Sequence, residues 1–121
     1  MRALLPTMFG RPVPRETVEA FGAAIGAFRP SGFRAMVEAC AVDLRPVLGA
    51  VDVPTLVLSG ENDVRAGLAV ARDLEAAIPD SALVVLPGVG HLCNLESPEE
   101  FTDAVRGFLR KHPPRIRGRI G

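Results

Sequence analysis

Two short apolar runs, "TLVLSG" at residues 55–60 and "ALVVLP" at residues 82–87, flank one amphipathic stretch, "LAVARDLEAAIP" at residues 68–79. This triplet constrains the fold more than any other feature of the chain. Each run is short, apolar and closed by Gly or Pro, which suits a strand buried on both faces. Between them Leu68, Ala71, Leu74 and Ile78 recur along one side at helical spacing, Arg72, Asp73 and Glu75 fall elsewhere, and Pro79 stops the pattern. Strand, crossover helix and strand in this order predict two parallel neighbours joined right-handed. The loops after both strands then open on one edge of the sheet, the edge where open α/β sheets place their chemistry.

The rest of the chain reads as helix. Ser97-Pro98-Glu99-Glu100 is a capping box with Pro at the first helical position. It launches a last helix whose apolar side is Phe101, Val105, Phe108 and Leu109. Before Val51, "RETVEAFGAAIGAF" places Val18, Phe21, Ile25 and Phe28 on one helical face, and Pro30 ends it. Ser31 caps a second helix in which Phe33, Met36, Val37 and Cys40 share a face, and Asp43 caps a short turn, "LRPVLGAV". Gly22 and Gly26 weaken the first helix in isolation, so it needs a partner surface. The expected division is a helical segment at 1–50, an α/β core segment at 51–111 and a solvated basic tail at 112–121.

Bulk composition narrows the function classes. A chain of 121 residues makes one small domain, and 48% hydrophobic residues supply a core. Net charge of +0 removes the case for a nucleic-acid or membrane surface spread over the whole protein. The basic tail has no aromatic residue to stack on a base. Cys40 and Cys93 have no metal-type spacing and read as two unlinked thiols in a reducing compartment. No segment has the length of a membrane span. "MRALLPTMFG" is interrupted by Pro6 and Gly10 and lacks the apolar centre of a signal peptide, so the expected location is cytoplasmic.

Two ionisable residues follow the strands: Asp63 the first, His91 the second. Singly, Asp63 suits a helix cap near Gly67 or a backbone bond within "GEND", and a lone loop histidine is more often solvated or structural. Together, at the ends of adjacent parallel strands, they suit an imidazole base whose tautomer and charged form are held by a carboxylate. Beside His91, Leu92 and Cys93 are candidates for lining a cleft, although packing within the loop is the commoner role at such positions. Phe28, Phe33 and Met36 are candidates for facing a substrate, although apolar stripes of this kind more often face a core. His91 and Cys93 are near in sequence, but His112 lies in the tail and no compact metal-ligand set forms; no metal and no cofactor is expected.

The stretch from Val53 to Leu109 resembles the C-terminal end of the α/β-hydrolase family. The "GxxD" turn, the run "IPxSxLVVLPGxGH" and the helix start "NxExPExF" stand in the family's order. By that resemblance Asp63 matches the acid and His91 the base of a Ser-His-Asp triad. The helices in "FRPSGFRAMVEACAVDLRPVL" match a lid, and the implied substrates are small-molecule esters, lactones or other acyl compounds, as in enol-lactonase-like and carboxylesterase-like members. Gly67 stands where many relatives have Pro. The larger departure is the nucleophile, which the family carries in G-x-S-x-G on a strained strand-to-helix turn. "RPSGF", "VLSGE", "PDSAL" and "LESPE" lack glycines at both offsets, and neither "EACAV" nor "HLCNL" offers a cysteine in its place. The family's oxyanion-hole loop has no counterpart either.

The expected fold class is therefore α/β, a C-terminal fragment of an α/β-hydrolase with a helical lid segment followed by strand-helix-strand-helix and two parallel strands. A truncated product is one expectation. A subunit completed by a second polypeptide is the other. Either way the chain is expected to be inactive alone, since acyl transfer needs a nucleophile and an oxyanion hole. A non-catalytic module that self-associates or binds a partner through its exposed strand edge is the alternative. A third reading keeps the fold with an Asp nucleophile, or with haloperoxidase or dehalogenase chemistry.

Overall fold

The computed structural model describes residues 5–113, so most of the expected basic tail, residues 114–121, lies outside the described residues. A 3-10 turn at Leu5–Thr7 leads to helices α1 (Arg15–Gly26) and α2 (Pro30–Cys40) and a second 3-10 turn at Arg45–Ala50. Strand β1 (Thr55–Gly60), helix α3 (Leu68–Ala77) and strand β2 (Ser81–Leu86) follow, then a single turn of helix, α4 (Cys93–Glu96), and the last helix α5 (Pro98–Lys111). β1 and β2 pair in parallel, with Thr55 opposite Ser81 and Gly60 opposite Leu86. The strand–helix–strand unit expected from the two apolar runs is present.

Local chemistry sets the element ends. Ile78 leaves α3 with φ −94° and ψ 119°, the extended backbone that a following proline favours. The Ser81 hydroxyl, shared between two carbonyls, donates toward Glu75 O in the last turn of α3 at 2.8 Å and toward Ile78 O just past it at 2.9 Å. Past β2 the chain turns at Gly88, whose φ of +68° is in the left-handed region that glycine enters without a Cβ penalty. That turn is held by the Gly88 N–H donating to the Glu61 carboxylate at 2.8 Å.

α3 packs on both strands, α5 packs on β2, and the Arg45–Ala50 turn packs on α3. Among the described residues the buried apolar side chains are Ala71 of α3, Ile78 just after it, Leu86 at the end of β2, and Val89 in the loop beyond, which is fully enclosed. The core thus lies under α3 and at the C-terminal ends of the strands. Burial of both strand faces is not realised: only Ser59, Gly60 and Leu86 are buried, and the other strand residues are half-buried or exposed. A sheet two strands wide has too few covering neighbours to enclose them.

The helical half departs from expectation in several details. Pro30 is the first residue of α2 with Arg29 as its cap, and Ser31 lies inside the helix. Proline's fixed φ and missing N–H suit that first position. Phe28 falls beyond α1 and is exposed, and Phe33, Met36, Val37 and Cys40 share α2 but are all exposed. Asp43 does receive the Arg45 N–H at 3.0 Å and pairs with the Arg45 guanidinium at 2.7 Å. At the start of α5, Ser97 bonds the Glu100 carboxylate side chain to side chain at 2.7 Å, so the capping box closes on itself and not on the backbone.

The residues before α1 dock onto the loop after β2. The Leu92 N–H donates to Met8 O at 3.1 Å, and the Phe9 ring meets Phe21 of α1 edge-on at 6.2 Å. The backbones of Gly10, Gly60, Val89 and Gly90 lie so close that a Cβ on Gly60 would strike the Val89 and Gly90 carbonyls, and one on Gly90 would strike the Gly10 nitrogen. Gly22, in contrast, faces open space within α1. Gly90→Ala is expected to destabilise the protein by about 3 kcal/mol through overpacking. Gly22→Ala is expected to stabilise it by about 0.5–1 kcal/mol through helix propensity. Urea unfolding of the two variants against the parent checks both signs.

Candidate active site

Parallel pairing brings the turn after β1 and the loop after β2 to the same edge, and there Asp63 meets His91. His91 Nδ1 lies 2.9 Å from Asp63 Oδ2, with the Asp63 side chain 7% exposed and the His91 side chain 35% exposed. The other carboxylate oxygen is also occupied: Oδ1 accepts the N–H groups of Arg65 at 2.8 Å and Ala66 at 3.0 Å. The two roles that the sequence left open for Asp63, organiser of its own turn and partner of a distant histidine, are filled at once by its two oxygens.

Burial pushes the Asp63 carboxyl up. The Ala66 N–H, the His91 ring and the Arg65 N–H together outweigh it and hold the carboxyl below its ordinary value. An ionised carboxylate only accepts, so the hydrogen between the two residues belongs to His91 Nδ1. In the neutral ring the lone pair is then on Nε2, the atom able to take up a proton, and the carboxylate stabilises the imidazolium that results.

A cleft of about 190 Å³ runs beside the pair. Asp63, His91, Cys93 and Ser59 bring its polar atoms, and Val70 and Leu74 of α3 are part of its apolar wall. Cys93 therefore lines the cleft, where the sequence favoured packing within the loop. Leu92 does not; its backbone is engaged by Met8. Burial pushes the Cys93 thiol up, with the charges of Asp63 and Glu96 adding to it, which keeps the sulfur protonated and weakly nucleophilic. Ser59 is buried within a regular strand, its hydroxyl 3.4 Å from Gly60 O. Phe28, Phe33 and Met36 do not line this cleft. A larger groove of about 570 Å³, walled by Phe21 and Ala24 of α1 and by Leu95, is apolar and apart from the pair.

Among the described residues no group of three or more His, Cys, Asp or Glu side chains is arranged to hold a metal ion. No helix among them is long and apolar enough to cross a membrane. Two acidic residues that hold the loops around the site, but do not line the cleft, went unread in the sequence. Glu61 binds the Gly88 turn, and Glu96, 8% exposed, accepts backbone N–H groups from Gly10 and Gly90. Glu96 stands in a helix-start pattern where an acid is unremarkable, and only the folded chain brings Gly10 to it.

The pattern of known proteins agrees with this architecture. The sequence model of the alpha/beta hydrolase family matches residues 1–104. The 3-oxoadipate enol-lactonase 2 of Acinetobacter baylyi is 31% identical over 97 residues, a match spanning 79% of this chain and 36% of the relative. An esterase from Exiguobacterium antarcticum superposes with a TM-score of 0.83 at 22% identity, over 90% of this chain and 41% of that one. A thermophilic esterase from Thermogutta terrifontis is 40% identical with a TM-score of 0.56, over 57% of this chain and 25% of that one. The chain thus spans less than half the length of each of these proteins.

Because Asp63 ionises more readily in the folded chain, its contribution to stability is present above the unfolded carboxyl value and is lost as pH falls through the folded one. Asp63→Ala is expected to cost about 1.5–3 kcal/mol at pH 7 by unpairing three donors from a charged acceptor. That difference should shrink steadily once the pH falls below about 4. Urea unfolding at pH 7 and pH 3 measures it, and an equal gap at both values would contradict the assignment.

Proposed function

The chain belongs to the α/β-hydrolase family, and from that premise we infer that Asp63 and His91 are the acid and base of a Ser-His-Asp triad in a hydrolase of ester, lactone or other acyl bonds. The observation that carries this reading is the 2.9 Å contact between His91 Nδ1 and Asp63 Oδ2 beside a cleft at the carboxyl edge of the sheet. The nucleophile and the oxyanion donors come from polypeptide beyond these 121 residues, in the same chain or a second one. No serine or cysteine here stands in G-x-S-x-G or an equivalent, which supports that assignment.

In this mechanism His91 Nε2 takes the proton of the attacking hydroxyl as oxygen bonds to the acyl carbon. Asp63 keeps the ring oriented and balances the imidazolium. Collapse of the tetrahedral species breaks the bond to the leaving alkoxide, which receives the same proton from Nε2. Water repeats the sequence on the acyl-enzyme: His91 removes its proton, the acid is released and the hydroxyl is restored. The incompletely covered residues of β1 and β2 and the exposed apolar side chains of α2 support completion by further structure, since in a chain otherwise sufficient to itself such surface is covered. The same surfaces favour the second reading, a non-catalytic module that pairs through a strand edge.

Hydrolysis of a p-nitrophenyl ester separates the two. The chain alone is expected to show no turnover above buffer. Co-expression with, or fusion to, a family segment carrying strand-G-x-S-x-G-helix is expected to restore it. His91→Ala should abolish the restored activity, and Asp63→Asn should lower kcat by about 10⁴-fold through the wrong ring tautomer. Restored turnover that survives His91→Ala overturns the reading. A discrete dimer on size exclusion, with no segment able to restore turnover, favours the module.

A further inference from the structure

Glu96 is a buried carboxylate that lies outside the cleft lining. Its Oε1 accepts the Gly90 N–H at 2.8 Å and the Gly10 N–H at 3.1 Å, and its Oε2 accepts the Gly10 N–H at 3.0 Å. The Glu96 main-chain oxygen receives Arg11 Nη2 at 3.0 Å. Gly90 immediately precedes His91, and Leu92, which follows it, donates its N–H to Met8 O at 3.1 Å. The backbone on either side of the imidazole is therefore tied down, once by the Glu96 carboxylate and once by the segment that the same carboxylate anchors. Glycine at both donor positions allows this approach: a Cβ on Gly90 would come within 2.7 Å of Glu96 Oε1.

A carboxylate placed only to fill space or cap a helix would receive donors from its own turn. Glu96 instead receives two from chain segments 86 and 6 residues away, both of which converge on the His91 loop. Charge-assisted bonds of this kind are shorter and stronger than neutral ones. They hold a loop that no strand pairing reaches. We propose that Glu96 is a positioning residue for His91: its carboxylate fixes the Gly90–His91 backbone and couples the placement of the imidazole against Asp63 to the segment at residues 8–11. This rests on the reading of His91 as the catalytic base, but it is a statement about the resting pair and is measurable without turnover.

The test is ¹H–¹⁵N NMR of the imidazole signals in the full chain, with His112 as the internal control. The parent is expected to show a slowly exchanging, downfield proton on His91 Nδ1 and a single ring tautomer. Glu96→Ala and Glu96→Asp, the second one methylene too short to span both N–H groups, are expected to lose that proton and average the tautomers, with His112 unchanged. Glu96→Gln, which keeps an acceptor oxygen at the same reach, is expected to restore it. Should Glu96→Ala not fold, Glu96→Asp, which retains the charge, decides the matter. A parental His91 signature in Glu96→Asp below its unfolding midpoint overturns the proposal, since a purely structural role changes the midpoint and leaves the ring signals alone. In a complemented, active assembly Glu96→Asp should lower kcat by about 100-fold with KM little changed, as sub-ångström to ångström misplacement of a base does. Failure of complementation would remove the hydrolase reading and leave the NMR result standing.

Discussion

The parallel pairing of β1 with β2 decides where two loops emerge, and the candidate site is made of those loops. Gly60 stands opposite Leu86, so the chain leaves both strands at one level and the Asp63 turn and the His91 loop start side by side. A slip of one residue would displace one loop by about 3.3 Å and turn every side chain of that strand to the other face. A contact of 2.9 Å does not survive such a change. The register is in turn supported by α3 lying on both strands and by the Thr55 N–H at the start of β1 bonding Asp80 O, just before β2, at 2.8 Å.

Loops at a sheet edge have no ladder to satisfy their N–H groups, and here side-chain carboxylates take that part. Glu61 receives the Gly88 N–H, Asp63 those of Arg65 and Ala66, and Glu96 those of Gly10 and Gly90. One of the three, Asp63, still has an oxygen turned to the imidazole. The division is economical: the acid that orients the ring is itself oriented by its own turn. Close backbone approach among Gly10, Gly60 and Gly90 makes room for the arrangement and leaves little freedom for those positions to carry side chains.

The α/β segment was legible because its signals are local and strong. "TLVLSG" bounded by Pro54 and Gly60, and the helix closed by Pro79, are found where apolar runs and breakers put them. The meeting of Asp63 with His91 followed from topology alone, since parallel neighbours must present their carboxyl ends together. The helical half was less legible. Proline serves equally to end one helix and to begin the next, and at Pro30 the second use prevails. Phe28 and Phe33 carried a core-like periodicity, yet periodicity shows only that a face is apolar and not that a surface is present to cover it. The Glu96 contacts were invisible, because no spacing rule relates an acid in a helix-start motif to a glycine near the other end of the sequence.

That last separation also has a kinetic meaning. Asp63 and His91 are 28 residues apart, whereas the Gly10 contact with Glu96 closes a loop of 86 residues. Because closure entropy grows with the logarithm of loop length, the longer loop costs about 1 kcal/mol more to bring together. The strand–helix–strand unit can therefore condense first and juxtapose acid and imidazole in a loose form. The strap at residues 8–11 arrives later, as the final fastening of an already assembled hinge of chain, and a nascent polypeptide reaches this geometry only after that segment has waited for Glu96 to emerge.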